Sequence, residues 1–520
     1  MIATENQQAA GAGLEILAHG GNAVDAACAT ALALGVVSPD SSGIGGGGFM
    51  LIYVAREGRF HALDFRERAP LRATAEHYAE AARDNPEVSR AGALAVAAPG
   101  EVAGLAEALG ALGRMSFSTV AEPAIRLARS GFACSAHLAR DIARTAPALA
   151  GDRALNRHLI GDAMRPPKLG ERMRSLALGA TLARLGDNPV EVFYRGPIAR
   201  EIAALLKNLG GLLTADDFAE YRPIWRDPLR GVYRGHEVVT LPPPASGATL
   251  LETLAIIEAD ELRAMGHNSS EYVAHLAEVM RQGFADRSTL GDPAFVPNDL
   301  SRILSPEHVG EARARALARN QPAPGAKPRG HGTSHLCVVD RDRNIALLTT
   351  TINTEFGAKL MVPGAGIVLN NSMDDFTVAP GIPNAARIVG GAANDIRGGK
   401  RPLSSIAPAI FTKAGEPALG IGGSGGPTII TGVLQAVANR FDFGLDLASA
   451  VAAPRIHAQG SPDLILVESG IAQPTRRALE EMGYRLRVVP ALRMAISAIE
   501  LGPEVSAAAD PRKGGGIATL

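Results

Sequence analysis

The chain has 520 residues, 46% of them hydrophobic and 20% charged, with Lys+Arg 52 against Asp+Glu 53 and a net charge of −1. That balance leaves no electrostatic footprint for nucleic acid or an anionic membrane, and a chain of this length buries most of its apolar surface without disulfide staples. Cys28, Cys134 and Cys337 are too few and too widely spaced for a disulfide framework or a CxxC metal site. Neither a metal nor a cofactor is expected.

The opening Met-Ile-Ala-Thr-Glu-Asn-Gln-Gln has no basic n-region and no apolar h-region. The apolar stretches 26–37 and 419–437 are too short or too broken to span a bilayer. A cytoplasmic chain is expected as the sequence stands, periplasmic or secreted if a leader precedes it. Residues 7–20 have helical spacing and stop at Gly20-Gly21, and 22–36 are apolar nearly all round, the mark of a buried helix. A loop ending in Gly43-Ile44-Gly45-Gly46-Gly47-Gly48 leads to strands at 49–54 and 60–65. From about residue 99 to 319 the periodicity reads as mainly helical, with an N-cap signature at Thr214–Asp217 and a stiff turn, 242–247, before a helix at 249–257. The Pro/Gly/basic stretch 321–332 is the most linker-like segment. Beyond it strands are predicted at 333–340, 345–351, 366–369, 407–412, 418–421, 464–467 and 486–489, with a helix near 429–439.

The glycine loop satisfies G-x-G-x-x-G, and Asp64 follows about twenty residues later. A dinucleotide site needs a helix straight after the last glycine, to hold the pyrophosphate at its N-terminus. Here an alternating, β-rich segment follows, so a structural turn is the better reading and a nucleotide-binding oxidoreductase the weaker one. Gly332-Thr333-Ser334-His335 places a threonine at the start of a strand behind an exposed loop. A threonine freed at its amino end carries its own base, because an α-amine with a pKa near ~8 can take and return the hydroxyl proton. Gly332, without a side chain, lets the Thr333 hydroxyl approach the preceding carbonyl for self-cleavage. His335 is expected to be a buried structural histidine.

These pieces keep specific company. Gly20-Gly21-Asn22-Ala23-Val24-Asp25, Gly43–Gly48, Asp64-Phe65-Arg66-Glu67-Arg68-Ala69-Pro70, Ala285-Asp286-Arg287, Thr333-Ser334-His335, Thr351-Ile352-Asn353-Thr354, Asn370–Phe376, Lys400–Ser405, Gly425-Gly426, Ala453-Pro454-Arg455 and Asp510-Pro511-Arg512 occur in one order. In that order and spacing the chain resembles the γ-glutamyltranspeptidase family over nearly its whole length. The resemblance implies an α+β fold, the αββα four-layer sandwich of N-terminal nucleophile hydrolases, formed jointly by residues 1–332 and 333–520 of a self-cleaved precursor.

It further implies the following roles. Thr333 is the nucleophile, freed by cleavage after Gly332, and Thr351 supports its amine and the processing step. Gly425 and Gly426 supply the oxyanion-hole amides. Asn353, Ser372 and Asp375 hold the α-amino end of a γ-glutamyl donor, and Arg66, Ser404 and Ser405 hold its carboxylate. The implied partners are a small γ-glutamyl substrate such as glutathione and the two fragments themselves, with no nucleic acid and no membrane. Two departures stand out. Ser372 replaces the longer Gln or Glu usual in the family, and Ala386 stands where a lid, 380–399, often has an aromatic. They point to hydrolysis over transfer, and they leave open a same-fold amidohydrolase for an oxamate-like amide or a cephalosporin side chain.

Overall fold

The computed structural model describes residues 1–161, 165–318, 332–378, 383–388, 390–461 and 463–520. Most of the expected linker, and Pro380, Gly381, Ile382 and Val389 of the expected lid, lie outside those residues.

Two antiparallel sheets stack face to face. The first has seven strands in the order Gly516–Ala518, Ile2–Thr4, Gly332–Val339, Ile345–Asn353, Gly47–Val54, Arg59–Phe65, Ile224–Arg226. The second has six, in the order Val505–Ala509, Ala495–Leu501, Glu416–Ser424, Ala409–Lys413, His236–Thr240, Leu229–Tyr233. Strands Gly332–Val339 and Ile345–Asn353 are buried at every position, the pattern of strands covered on both faces. One face meets the strand Glu416–Ser424 of the second sheet; the other carries helix Ala23–Val37, all fifteen residues of which are buried. Helices Gly247–Glu258 and Thr428–Phe441 cover the outside of the second sheet. The result is the expected αββα sandwich.

The capping signature at Thr214 holds, with Asp217, and the structure adds a second capping box at Asn22 with Asp25. The predicted strand at 366–369 shrinks to the two-residue Ile367–Val368, outside both main sheets. The mainly helical reading of 99–319 holds, with short strands set into it that the period did not show. Leu229–Tyr233 and His236–Thr240 form a hairpin at the edge of the second sheet, turned by Arg234 and Gly235 at positive φ. Their alternation is brief and set in a long helical stretch, so the helical period drowns it. Among the described residues no helix is long and apolar enough to cross a membrane.

The glycine loop holds the strand pairing rather than a ligand. A Cβ on Gly45, Gly46 or Gly48 would collide with the carbonyl oxygen of Val368, Thr351 or Thr349 respectively. The Gly46 carbonyl accepts the amides of Gly100 (2.8 Å) and Glu101 (3.0 Å) at the start of helix Glu101–Leu112, filling the place a phosphate would need. Together with the strand that follows, this overturns the nucleotide-binding alternative.

Candidate active site

The strand Gly332–Val339 pairs with Ile345–Asn353 so that Thr333 lies opposite Thr351. Thr351, 3% exposed, donates its hydroxyl proton to the Gly332 carbonyl at 2.7 Å. Having spent its one proton, its oxygen accepts from the Asn353 amide at 2.8 Å and meets Thr333 Oγ1 at 3.0 Å, so Thr333 is the donor in that contact. The Thr333 hydroxyl proton, the Thr351 hydroxyl and the Gly332 oxygen thus form one chain across the bond that would have to break. Gly332 is required for a reason beyond the approach of the hydroxyl: a Cβ there would strike the carbonyl oxygens of Asp40 and Thr354.

Thr333 opens on a pocket also bordered by Arg66, Asn353, Asp375, Ser404, Ser405 and Gly426. Gly425 borders the adjoining groove instead. Gly425 and Gly426 have φ of 122° and 63°, left-handed values that favour glycine, where the strand Glu416–Ser424 turns toward helix Thr428–Phe441. Neither amide has a hydrogen-bond partner among the described residues. Two adjacent N–H groups without partners are the kind of donors a tetrahedral oxyanion needs.

Arg66 is fully buried. Its guanidinium donates to Glu67 at 2.8 Å and contacts Asp375. Burial alone would pull its pKa down, but the two carboxylates outweigh that and hold it above the usual arginine value. Asn353, at φ 77°, donates its side-chain amide to the Asn371 carbonyl at 3.0 Å and keeps its oxygen for the pocket. Ser404 Oγ accepts the Ile406 amide at 3.3 Å, leaving its proton free. Ser372 is the one proposed donor contact that does not border the pocket. It is fully buried, and its hydroxyl donates to Glu67 at 2.8 Å, one residue removed from Arg66. A side chain this short is captured by the nearest buried carboxylate.

Three residues escaped the sequence reading. Glu67 ties Ser372 to Arg66, and burial raises its pKa. Arg287 borders the pocket from the end of helix Ser270–Arg287; it makes no carboxylate ion pair within 4 Å among the described residues, and Asp375 acts on it from farther off. It donates to Ser246 Oγ at 2.9 Å and to Ser405 Oγ at 3.3 Å, and burial brings its pKa down to about 10. Because Ser405 accepts from Arg287, its own proton can point outward. Buried Lys513 donates to the Thr333 carbonyl and to Ser424 Oγ, both at 2.8 Å, and to Glu5 at 3.1 Å, pinning the main chain at Thr333. The motifs Asp64–Pro70, Ala285–Arg287 and Asp510–Arg512 contained or bordered all three, but nothing local gives the direction of a side chain.

His335 is fully buried between Thr349 Oγ1 (2.7 Å) and Cys337 Sγ (3.4 Å), and burial drives its pKa to about 3. It is a neutral packing residue, as expected. Two clusters of metal-type side chains occur elsewhere, Asp40/His137/Asp141 and Glu252/Asp286/His308. Neither borders the pocket, and Arg144 and Arg493 already bind Asp141.

A threonine on a glycine-preceded strand, a hydroxyl relay behind it and a pair of free glycine amides before it are the parts of one kind of catalyst. The profile of the family described as Gamma-glutamyltranspeptidase matches residues 9–520. The chain belongs to the γ-glutamyltranspeptidase family. Like this chain, other members run nearly end to end. The glutathione hydrolase proenzyme of Escherichia coli is 37% identical over 98% of this chain and 90% of its own. Glutathione hydrolase 2 of Arabidopsis thaliana is 36% identical over 99% and 92%. Among solved structures, cephalosporin acylase from Bacillus halodurans superposes with a TM-score of 0.88 at 30% identity over 100% of this chain and 95% of that one. A γ-glutamyltranspeptidase from Pseudomonas nitroreducens gives 0.55 at 36% identity over 62% and 94%.

Proposed function

We propose that this γ-glutamyltranspeptidase family member cuts itself between Gly332 and Thr333 and then hydrolyses γ-glutamyl amides such as glutathione through an acyl-enzyme on Thr333. The observation that carries the reading is the hydrogen-bond chain from Thr333 through Thr351 to the Gly332 oxygen. In the precursor, Thr333 Oγ1 attacks the Gly332 carbonyl carbon. Its proton passes to Thr351, whose own proton moves to the Gly332 oxygen, so the tetrahedral adduct forms without net charge. As the C–N bond breaks, the adduct's hydroxyl proton passes to the departing Thr333 nitrogen, leaving residues 1–332 as an ester on Thr333 Oγ1, which water hydrolyses to free the two fragments.

The new α-amine then acts as base. It accepts the Thr333 hydroxyl proton as the oxygen attacks the γ-carbonyl, and returns it to the leaving amine. Gly425 and Gly426 stabilise the oxyanion. Asp375 and the Asn353 oxygen receive the donor's α-ammonium. Ser404, Ser405 and the Arg66 guanidinium, once its contact with Asp375 opens, receive the α-carboxylate. Ala386, at the pocket's edge, is too small to exclude water, so hydrolysis outruns transfer.

A denaturing gel with N-terminal sequencing tests the processing. The smaller band should begin Thr333-Ser334-His335, and Thr333→Ala should leave one inactive chain. A Thr333→Ala protein that still splits and turns over γ-glutamyl-p-nitroanilide defeats the proposal. A second reading, an amidohydrolase for another carboxylate-bearing amide such as a cephalosporin side chain, is favoured by Ser372, which turns to Glu67 and leaves the α-amino group fewer partners. Turnover of glutaryl-p-nitroanilide, which lacks the amino group, at a rate above that of the γ-glutamyl compound decides for it.

A further inference from the structure

Beside the Thr333 pocket runs a second groove, with a volume of about 270 Å³. Ala386 and Pro427 form a wall common to both. The two glycines straddle that wall: Gly426 faces the pocket and Gly425 the groove. An amide carbonyl held by both amides has its acyl side committed to the Arg66–Asp375 pocket. Its nitrogen side is then directed past the wall, and the groove is the space that continues there.

The groove's chemistry is specific. Leu466, Val489, Pro490 and Leu492 give it an apolar floor. Two guanidiniums border it. Arg493 is committed, to Asp141 at 3.2 Å and Glu355 at 2.7 Å. Arg487, half-buried on the strand Leu486–Val489, has no ion pair or hydrogen bond among the described residues. His457 and Gln459 are engaged with Thr431 and with the Ala386 carbonyl, each at under 3 Å, and so brace the wall rather than await a ligand. An apolar floor beside one uncommitted cation selects an apolar body bearing an anion.

We propose that this groove binds the leaving amine, and that it selects amines carrying a carboxylate on an apolar frame, with Arg487 as the residue that reads the carboxylate. The proposal rests on the acyl-enzyme reading above. When Thr333 Oγ1 displaces the amine, the C–N bond breaks, the nitrogen takes the proton held by the Thr333 α-amine, and the neutral amine is left in the groove with its carboxylate at Arg487.

The test uses two donors that differ only in that group, γ-glutamyl-3-carboxy-4-nitroanilide and γ-glutamyl-4-nitroanilide. Calorimetric titration of the purified protein with the corresponding free amines, 5-amino-2-nitrobenzoate and 4-nitroaniline, runs alongside. A partly exposed charge pair gives a preference of about three- to fivefold, expected in both kcat/KM and affinity. Arg487→Met should bring both ratios to about one, and Arg487→Lys should restore part of the preference. No preference in the wild type, or one that survives Arg487→Met, overturns the groove assignment. Turnover without preference overturns the groove and leaves the γ-glutamyl reading standing. An Arg487-dependent titration preference with no turnover of either donor does the reverse.

Discussion

Replacing Thr351 by valine keeps the branched shape of a buried strand residue and deletes one hydroxyl. That hydroxyl makes three contacts: it donates to the Gly332 oxygen at 2.7 Å, accepts the Asn353 amide at 2.8 Å and meets Thr333 Oγ1 at 3.0 Å. In the proposed self-cleavage the first of these becomes the donor to a developing oxyanion. Loss of one such donor raises a barrier by about 3–4 kcal/mol, on the order of a hundred- to a thousandfold in rate. The second contact leaves a buried amide unpaired, at a cost of about 1–3 kcal/mol in stability, less than the ~5–15 kcal/mol by which proteins are folded. The variant should therefore fold and accumulate as an uncut precursor. The assay is the fraction of cut chain against time after synthesis, on a denaturing gel, with a melting curve to establish folding. Thr351→Ser, which restores the hydroxyl, should restore most of the rate. A folded Thr351→Val protein that cleaves at the wild-type rate refutes the relay.

Four further outcomes are expected. Arg66→Lys keeps a charge but loses the fork, so kcat/KM on γ-glutamyl-4-nitroanilide should fall by the equivalent of ~2–3 kcal/mol; unchanged kinetics would remove Arg66 from the donor site. Arg287→Met removes the donor behind Ser405, so KM for that anilide should rise roughly tenfold with self-cleavage intact, about one charge-assisted hydrogen bond; an unmoved KM means Ser405 does not hold the carboxylate. His335 refuses a proton down to about pH 3 when folded, whereas an open-chain histidine accepts one near ~6.5. Its contribution to stability is thus complete above that value and is lost as pH falls toward 3, so the wild-type Tm should drop more steeply between pH 6.5 and 4 than that of His335→Gln. Finally, glycylglycine should accelerate product release little, because Ala386 leaves the ester open to water; a several-fold acceleration with γ-glutamyl-glycylglycine as main product contradicts that.

Much of the architecture is written locally. The buried helix Ala23–Val37 and the strand that begins at Gly332 follow from composition, period and caps. What stays hidden depends on distant partners. Nothing near Ser372 announces that its hydroxyl will be captured by Glu67, some three hundred residues earlier. Arg287 looks like any basic residue ending a helix until the fold sets Ser246 and Ser405 against it. The hairpin Leu229–Thr240 is two short strands with one sheet neighbour, Ala409–Lys413, contributed from far along the chain. Motif order gathered most of the pocket's residues because it carries family information that the period of a single segment does not.

The first sheet alternates between the two sides of the Gly332–Thr333 bond. Gly516–Ala518 is followed by Ile2–Thr4, then by Gly332–Val339 and Ile345–Asn353, then by Gly47–Val54. Scission of that bond therefore cannot act like opening a clasp. Each piece supplies rungs that the other's ladder lacks, and separating them means stripping backbone hydrogen bonds from at least three seams at once. On the proposed cleavage the two products would be interwoven rather than docked, their partnership set during folding, while they are still a single thread. Made as separate chains, each would present raw strand edges in search of a partner, so covalent continuity up to the moment of cleavage acts as an assembly jig for the finished enzyme.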